Sequence, residues 1–137
     1  MRPEMRPVAP PAAAGTGAIL VVEDNAVNAL ILRSMLRKLG HEPLMASDGF
    51  EGIEVAGRLR PRLVLMDLQM PGLDGLAAAS SIRALGVGED ETVLVAVTAS
   101  AAREVENACE DAGFACVLPK PIVFRELEAV LGRYVAA

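Results

Sequence analysis

The chain has few of the residues that mark secreted or metal-clustered proteins. Its 137 residues include two cysteines, Cys109 and Cys116, and one histidine, His41. Two cysteines are too few for a structural zinc site, and without a secretory signal they indicate reduced thiols rather than a disulfide. We therefore expect a cytoplasmic protein in which His41 is a surface loop residue with no metal or phosphohistidine role.

Long apolar runs and an excess of positive charge are also absent. No apolar run approaches the ~20 residues of a membrane-spanning helix, and Arg2 and Arg6 are not followed by the apolar stretch of a signal peptide. The net charge of −5 argues against a nucleic-acid-binding surface. We expect no direct membrane contact and no nucleic-acid partner.

Two compositional regions divide the chain. Residues 1–17 are rich in Pro, Ala and Gly without periodicity, which predicts a flexible linker or leader. In residues 18–137, short apolar segments alternate with segments of helical periodicity, the pattern of a single α/β domain with a parallel sheet covered on both faces. We predict strands at 19–22, 42–46, 63–66, 93–97 and 115–119, and helices at 26–39, 49–60, 74–85, 101–112 and 122–135.

Two prolines indicate which strands lie at the edges of the sheet. Pro43 and Pro119 fall in the second and fifth predicted strands, and proline is confined to edge strands because it cannot donate to a β-ladder. The order 2-1-3-4-5 places those two strands outermost. The two prolines thus agree with the fold that we predict, a flavodoxin-like (βα)5 doubly wound parallel sheet.

Polar residues follow four of these strands at the points where they end. Glu23 and Asp24 follow the first strand, Asp67 the third, Thr98 the fourth and Lys120 the fifth. The carboxyl ends of the first and third strands border the switch point, where such sheets bind their ligands. A single Asp after a strand can simply cap a helix, but Asp24 together with Asp67 and Lys120 at one rim predicts a functional site.

The residues at these strand ends resemble a known family. Over about residues 18–135 the chain is similar to the receiver (phosphoacceptor) domain of two-component response regulators. Four motifs carry the resemblance, and their common order and compatible spacing make the match more specific than any single motif would be. They are Val21-Val22-Glu23-Asp24-Asn25, Met66-Asp67-Leu68-Gln69-Met70-Pro71-Gly72-Leu73-Asp74-Gly75, Val97-Thr98-Ala99 and Lys120-Pro121.

The resemblance implies a role for each of these residues. Asp67 would accept the phosphoryl group as an aspartyl phosphate, and the Thr98 hydroxyl and the Lys120 ammonium would contact phosphoryl oxygens. A cis peptide would join Lys120 to Pro121. Clustered carboxylates repel one another, and a divalent cation relieves that repulsion; the implied Mg²⁺ ligands are Glu23 through water, Asp24, Asp67 and the backbone carbonyl of Gln69.

The implied function is a phosphorylation-dependent switch in two-component phosphorelay signal transduction. Its partners would be a sensor histidine kinase, a histidine phosphotransfer protein or both, possibly with kinase domains attached in a longer chain. Glu23, the pair Asn25 and Asn28, and the run Lys120-Pro121-Ile122 resemble receivers of hybrid kinases and single-domain receivers. Such a domain is regulatory rather than an enzyme, although it catalyses its own phosphotransfer and slow autodephosphorylation.

Two residues bear on two alternative functions, a phosphatase and a receiver-like domain that no longer uses phosphate. A haloacid-dehalogenase-type phosphatase needs a second Asp two residues after its nucleophile as general acid/base, and Gln69 at that position argues against it. Many receivers carry Tyr or Phe three residues before the lysine, where this chain has Val117. Valine cannot report the state of Thr98 as that aromatic does, so a pseudo-receiver that no longer uses phosphate stays open.

The first helix carries more apolar residues than one core contact requires. The face expected to contact the core consists of Val27, Leu30, Ile31, Met35 and Leu39. Leu32 and Leu36 widen this arc. They either dock the helix bundle of a phosphotransfer protein or pack against the helix at 122–135, and both alternatives remain open.

Overall fold

The structure, a computed structural model, describes residues 18–135. The predicted linker at residues 1–17 lies outside the described residues. Every predicted element is present, and each boundary lies within two residues of its prediction. In chain order the elements are β1 (Ile19–Val22), α1 (Ala26–Lys38), β2 (Leu44–Ala46), α2 (Gly49–Leu59), β3 (Leu63–Asp67), α3 (Gly75–Ala84), β4 (Val93–Thr98), α4 (Arg103–Ala112), β5 (Phe114–Pro119) and α5 (Phe124–Tyr134).

The five strands form one parallel sheet in the order β2-β1-β3-β4-β5. This confirms the predicted flavodoxin-like topology, with β2 and β5 at the edges. Pro119 ends β5, and Pro43 lies one residue before β2 rather than within it. Among residues 18–135 no helix has both the length and the apolar character that crossing a membrane requires.

The sheet separates two apolar layers because successive side chains of a strand point to opposite faces. The first layer packs the sheet against α2, α3 and α4 and includes Leu20, Val22, Val64 and Met66. The second packs it against α1 and α5 and includes Ile19, Val21, Leu63 and Leu65. Helices cover both faces of the sheet. Sheets of this kind bind their ligands at the loops that follow the carboxyl ends of the strands.

Helix α1 faces the core differently from the prediction. Its buried side chains are Leu32 and Leu36, which join Leu127 and Leu131 of α5 in the second apolar layer. The expected core face is wrong at three positions, since the exposed fractions are 65% for Val27, 60% for Leu30 and 48% for Ile31. Of the two alternatives for Leu32 and Leu36, packing against the last helix is the one confirmed.

Candidate functional site

Three carboxylates meet at the carboxyl ends of β1 and β3. These strands are neighbours and Val22 pairs with Met66, so the residues that follow each strand lie side by side. Glu23, Asp24 and Asp67 each offer one oxygen atom, and these oxygens all lie within 4.8 Å of one another. The structure thus brings together the three predicted acidic residues.

Burial and mutual repulsion disfavour the negative charge of this cluster. Glu23 and Asp67 are buried, whereas Asp24 is exposed. Burial raises the pKa of Glu23 and the charge of Asp67 raises it further, although the Asn25 backbone N–H opposes both by donating to Glu23 Oε2 at 3.1 Å. A cation at this position would relieve the repulsion.

Lys120 supplies one positive charge to the cluster. Its Nζ lies 3.1 Å from Asp67 Oδ1 and 3.7 Å from Glu23 Oε1. The Lys120–Pro121 peptide bond is cis, as the resemblance implied. The backbone N–H of Lys120 donates to the Thr98 carbonyl at 2.9 Å, which joins the end of β5 to the end of β4.

Thr98 and Gln69 lie at the same rim. Thr98 is buried at the end of β4, and its Oγ1 accepts the Ser100 backbone N–H at 3.1 Å. The backbone N–H of Gln69 donates to Asp67 Oδ1 at 3.1 Å. Gln69 therefore borders the acceptor through its amide, and the role of its carbonyl as a metal ligand stays a prediction.

The simple capping alternative for Asp24 is excluded by the start of α1. The N-cap of that helix is Asn25, whose Oδ1 accepts the Asn28 backbone N–H at 2.9 Å. Asp24 precedes the cap, and its carboxylate belongs to the acidic cluster instead.

The loop between Asp67 and α3 turns tightly beside the cluster. Gly72 has φ +86°, a conformation that favours glycine. A Cβ on Gly75 would lie 2.5 Å from the Asp67 carbonyl oxygen, so only glycine allows α3 to begin this close to β3. The start of α3 therefore packs directly against the backbone that follows Asp67.

A cleft of about 370 Å³ opens beside Lys120, between α1 and the segment after β5. Its lining includes Glu23 and Lys120 together with the apolar side chains of Ile31, Pro121 and Ile122. The sequence prediction missed this cleft because Ile31 was assigned to the core. Pro121 and Ile122, the apolar residues that directly follow Lys120, could have indicated the cleft.

The donor set fits a hard divalent cation. The three converging side chains offer carboxylate oxygen only, with no thiolate or imidazole among them. Oxygen ligands of this kind suit Mg²⁺ and Ca²⁺, and an incomplete protein ligand set open to water and phosphate suits Mg²⁺ in particular.

The fold and this rim define a class: a doubly wound α/β domain with an acidic cluster and a lysine at its switch point. A family model described as the response regulator receiver domain matches residues 19–132. The chain belongs to this receiver domain family.

Relatives agree with this assignment. A hybrid signal transduction histidine kinase from Dictyostelium discoideum is 42% identical over 118 residues, which cover 85% of this chain and 3% of that kinase. The sensor protein GacS of Pseudomonas syringae is 32% identical, with 90% of this chain and 14% of that protein covered. The chain thus spans a small part of the curated relatives it matches.

Two solved structures with the same fold contain either a metal ion or a partner protein. The receiver domain of a sensor histidine kinase from Pseudomonas aeruginosa has a magnesium ion coordinated in its active site cleft; it is 36% identical, with a TM-score of 0.80, covering 88% of this chain and 98% of that one. A receiver domain from Saccharomyces cerevisiae was solved with a histidine phosphotransfer signalling protein; it is 29% identical, with a TM-score of 0.79 and coverage of 85% and 87%.

Proposed function

We propose that this domain is a phosphorylation-dependent signalling switch that accepts a phosphoryl group on Asp67, with Mg²⁺, in a two-component phosphorelay. The donor is a histidine kinase or a histidine phosphotransfer protein. The observation that carries the proposal is the buried Asp67 carboxylate with the Lys120 ammonium at 3.1 Å and two further carboxylates beside it.

In the proposed reaction a carboxylate oxygen of Asp67 attacks phosphorus. The new O–P bond forms as the P–N bond of the donor phosphohistidine breaks, and the imidazole leaves with the electron pair of that bond. Lys120 and the Gln69 amide both contact Asp67 Oδ1, which leaves Oδ2 as the attacking oxygen. Positioning and charge stabilisation are the main requirements of phosphoryl transfer.

Other residues at the rim have separate parts in this proposal. Glu23 through water, Asp24, Asp67 and the Gln69 carbonyl would hold Mg²⁺, which supplies positive charge to the phosphoryl oxygens when bound. Thr98 accepts one hydrogen bond through its oxygen, so its hydroxyl proton is available to a phosphoryl oxygen. Lys120 reaches the same group after exchanging part of its contact with Asp67.

The proposed activity is regulatory rather than that of a turnover enzyme. The aspartyl phosphate would be lost slowly by hydrolysis, which resets the switch. We also propose a cytoplasmic location, which the two free cysteines, Cys109 and Cys116, support. Domain boundaries at 1–17 for a linker and 18–137 for the receiver domain belong to the same proposal.

The exposed side of α1 is the proposed contact for the phosphoryl donor. Val27, Leu30 and Ile31 on α1 and Val123 before α5 are large exposed apolar side chains. Leu30 and Ile31 line one concave surface, and Ile31 also lines the cleft beside Lys120. A clustered apolar surface of this kind marks an interaction site. The partner would be the helix bundle of a phosphotransfer protein or of kinase domains attached in a longer chain.

Phosphorylation by acetyl phosphate tests the central claim. Intact mass spectrometry should show one added phosphoryl group with Mg²⁺ and none after chelation with EDTA. Asp67→Ala should abolish labelling, whereas Asp90→Asn, in an exposed loop, should leave it unchanged. Equal labelling of the Asp67→Ala protein would exclude Asp67 as the acceptor.

Two further measurements separate the alternatives. A pseudo-receiver would show no NMR shifts near Asp67 on addition of Mg²⁺ and beryllofluoride, a phosphoryl mimic. A phosphatase would hydrolyse small phosphate esters over many turnovers. We expect clear shifts near Asp67 and no multiple-turnover hydrolysis.

A further inference from the structure

Asn28 is a polar residue close to the phosphoryl site to which the proposed function assigns no role. It forms, with Asn25, the pair of asparagines that follows Asp24 in the sequence. The structure gives the two residues different positions. Asn25 caps α1, and its Oδ1 accepts the Asn28 backbone N–H at 2.9 Å. Capping therefore accounts for the side chain of Asn25 but only for the backbone of Asn28.

The carboxamide of Asn28 is available to a ligand. Asn28 lies exposed in the first turn of α1. None of the side-chain hydrogen bonds found within residues 18–135 involves its carboxamide. An asparagine side chain carries an acceptor oxygen and an N–H₂ donor, so Asn28 can bind a group of either kind.

Asn28 lines the cleft beside Lys120, together with Ile31 and Leu32 from the next turn of α1. Residues three and four positions apart share one face of a helix, so these three side chains form one wall. Pro121 lies among the residues that complete the lining, most of which are apolar. A cleft with apolar walls and a few polar groups suits a small, mostly apolar ring that also carries a hydrogen-bonding atom.

The other polar side chains of this cleft already have partners. Lys120 Nζ lies 3.1 Å from Asp67 Oδ1, and an ammonium group can only donate. Glu23 accepts the Asn25 backbone N–H through Oε2 and lies 3.7 Å from Lys120 Nζ through Oε1. Among the three polar side chains that line the cleft, Asn28 therefore provides the acceptor oxygen that remains free.

Transfer from a phosphohistidine places a demand on the donor ring. The ring carries the phosphoryl group on one nitrogen and, when protonated, an N–H on the other. With that N–H present the ring leaves as neutral imidazole, whereas without it the ring would leave as an imidazolate, a far poorer leaving group. Imidazole gains and loses its proton near neutral pH. A hydrogen-bond acceptor at the second nitrogen favours the protonated, reactive form.

We propose that Asn28 binds the imidazole of the phosphoryl donor, with Asn28 Oδ1 accepting the ring N–H while Ile31 and Pro121 hold the faces of the ring. This inference rests on the proposed function, because it describes the donor side of the same transfer. As the new O–P bond forms at Asp67 and the P–N bond breaks, the ring nitrogen keeps the electron pair of that bond. The second nitrogen keeps its proton toward Asn28, and neutral imidazole leaves.

Two small phosphoryl donors test this role. Monophosphoimidazole carries the ring, whereas acetyl phosphate has no ring nitrogen and serves as the reference. Initial rates of labelling with Mg²⁺, followed by intact mass spectrometry, give the ratio of the two rate constants. Asn28→Leu is similar in size but forms no hydrogen bond. It should lower the ratio of the monophosphoimidazole rate to the acetyl phosphate rate about three- to tenfold, as expected for one lost hydrogen bond.

Two further variants separate this role from a structural one. Asn28→Asp keeps an acceptor oxygen at the same position and should restore most of the ratio. Its added charge slows both anionic donors, and the ratio removes that common effect. Asn107→Leu replaces an exposed asparagine on α4, outside the cleft, and should leave the ratio unchanged. A purely structural role for Asn28 would slow both donors equally.

An unchanged ratio in Asn28→Leu would overturn the proposal, and so would an equal fall in Asn107→Leu. Failure of monophosphoimidazole to label the parent chain would overturn it as well. Failure of the proposed function gives a different result, since acetyl phosphate would then not label the parent chain on Asp67. Labelling of Asp67 by acetyl phosphate with a ratio that Asn28→Leu does not change would retain the acceptor and exclude Asn28 as the residue that binds the donor ring.

Discussion

Glu23 is a buried acid whose surroundings oppose its ionisation. Burial is the main cause of its raised pKa, and the nearby Asp67 charge adds to it. The Asn25 amide and Lys120 act in the opposite direction but do not restore the ordinary value. Such a residue costs stability in the domain without metal and becomes favourable when a cation binds.

The substitution Glu23→Gln should reveal both effects at neutral pH. With EDTA the variant should unfold at a higher urea concentration than the parent chain, because it no longer holds a destabilised charge. With Mg²⁺ the order should reverse. At a Mg²⁺ concentration of 100 times Kd the parent chain gains about 2.7 kcal/mol, and the variant should gain less.

The pH dependence of this difference follows from the direction of the shift. A carboxyl whose pKa is raised on folding contributes stability below its ordinary value of 4.5 and loses that contribution as pH rises through the folded value. In EDTA, the advantage of Glu23→Gln should therefore shrink as the pH falls toward 4.5. An advantage that stays constant with pH would contradict the argument; Glu89→Gln, on an exposed loop, serves as the control.

The shared location of Asp67, Thr98 and Lys120 was predictable because each lies at the end of a strand. Asp67, Thr98 and Lys120 follow recognisable apolar runs, and parallel strands bring such ends to one rim. The contact of Lys120 Nζ with Glu23 at 3.7 Å was not predicted. It depends on side-chain directions across β1, β3 and β5, which no local pattern encodes.

At the scale of elements, α1 shows where periodicity stops being informative. Apolar residues occupy most of its circumference, so several arcs satisfy a helical repeat. The arc that is buried is the one facing the sheet and α5, through Leu32 and Leu36. That choice is made by tertiary packing. The strand order was easier to predict, because the alternation of strands and helices indicates a doubly wound sheet and Pro119 marks β5 as an edge strand.

Two leucines of α1 provide a matched test of this assignment. Leu36→Ala should lower the unfolding free energy by about 2–5 kcal/mol, as expected for a fully buried leucine. Leu30→Ala should change it by less than about 0.5 kcal/mol, because Leu30 is 60% exposed. Urea denaturation measures both, and a larger loss for Leu30→Ala would contradict the assigned face.

The substitution at Leu30 also tests the proposed docking surface. Leu30→Ala should slow phosphotransfer from a histidine phosphotransfer protein while labelling by acetyl phosphate stays normal. Unchanged phosphotransfer kinetics would remove the exposed side of α1 from the proposed interface.

The contacts that hold the loops between elements were the hardest features to predict. The Arg83 guanidinium donates to the carbonyls of Val87, Thr92 and Gly113, at 2.9, 3.0 and 3.1 Å. These acceptors are backbone atoms from separate turns, and any residue type could supply them. Arg83 on α3 therefore braces two loops in a way that the residue sequence does not signal.

At the scale of the molecule, both ends of the described chain meet far from the phosphoryl site. The backbone N–H of Arg62 donates to the Ala18 carbonyl at 2.8 Å, and its side-chain Nε donates to the Tyr134 carbonyl at 2.7 Å. The Arg62 segment precedes β3, whereas the site follows it. Ala18 and Tyr134 thus lie near the start of β3, at the opposite end of that strand from Asp67.

The proposed domain boundaries predict that removing residues 1–17 has a smaller effect on stability than a substitution inside the domain. Removing residues 1–17 should change the unfolding free energy by less than about 0.5 kcal/mol and leave labelling of Asp67 intact, because Ala18 keeps the carbonyl that Arg62 contacts. Arg62→Ala should cost about 1.5–3 kcal/mol, the usual value for a hydrogen bond to a charged group, since the Tyr134 carbonyl loses its donor. Urea denaturation of the two proteins compares these effects directly. If removal of residues 1–17 destabilises the domain as much as Arg62→Ala does, that segment is part of the folded unit and the predicted linker is wrong.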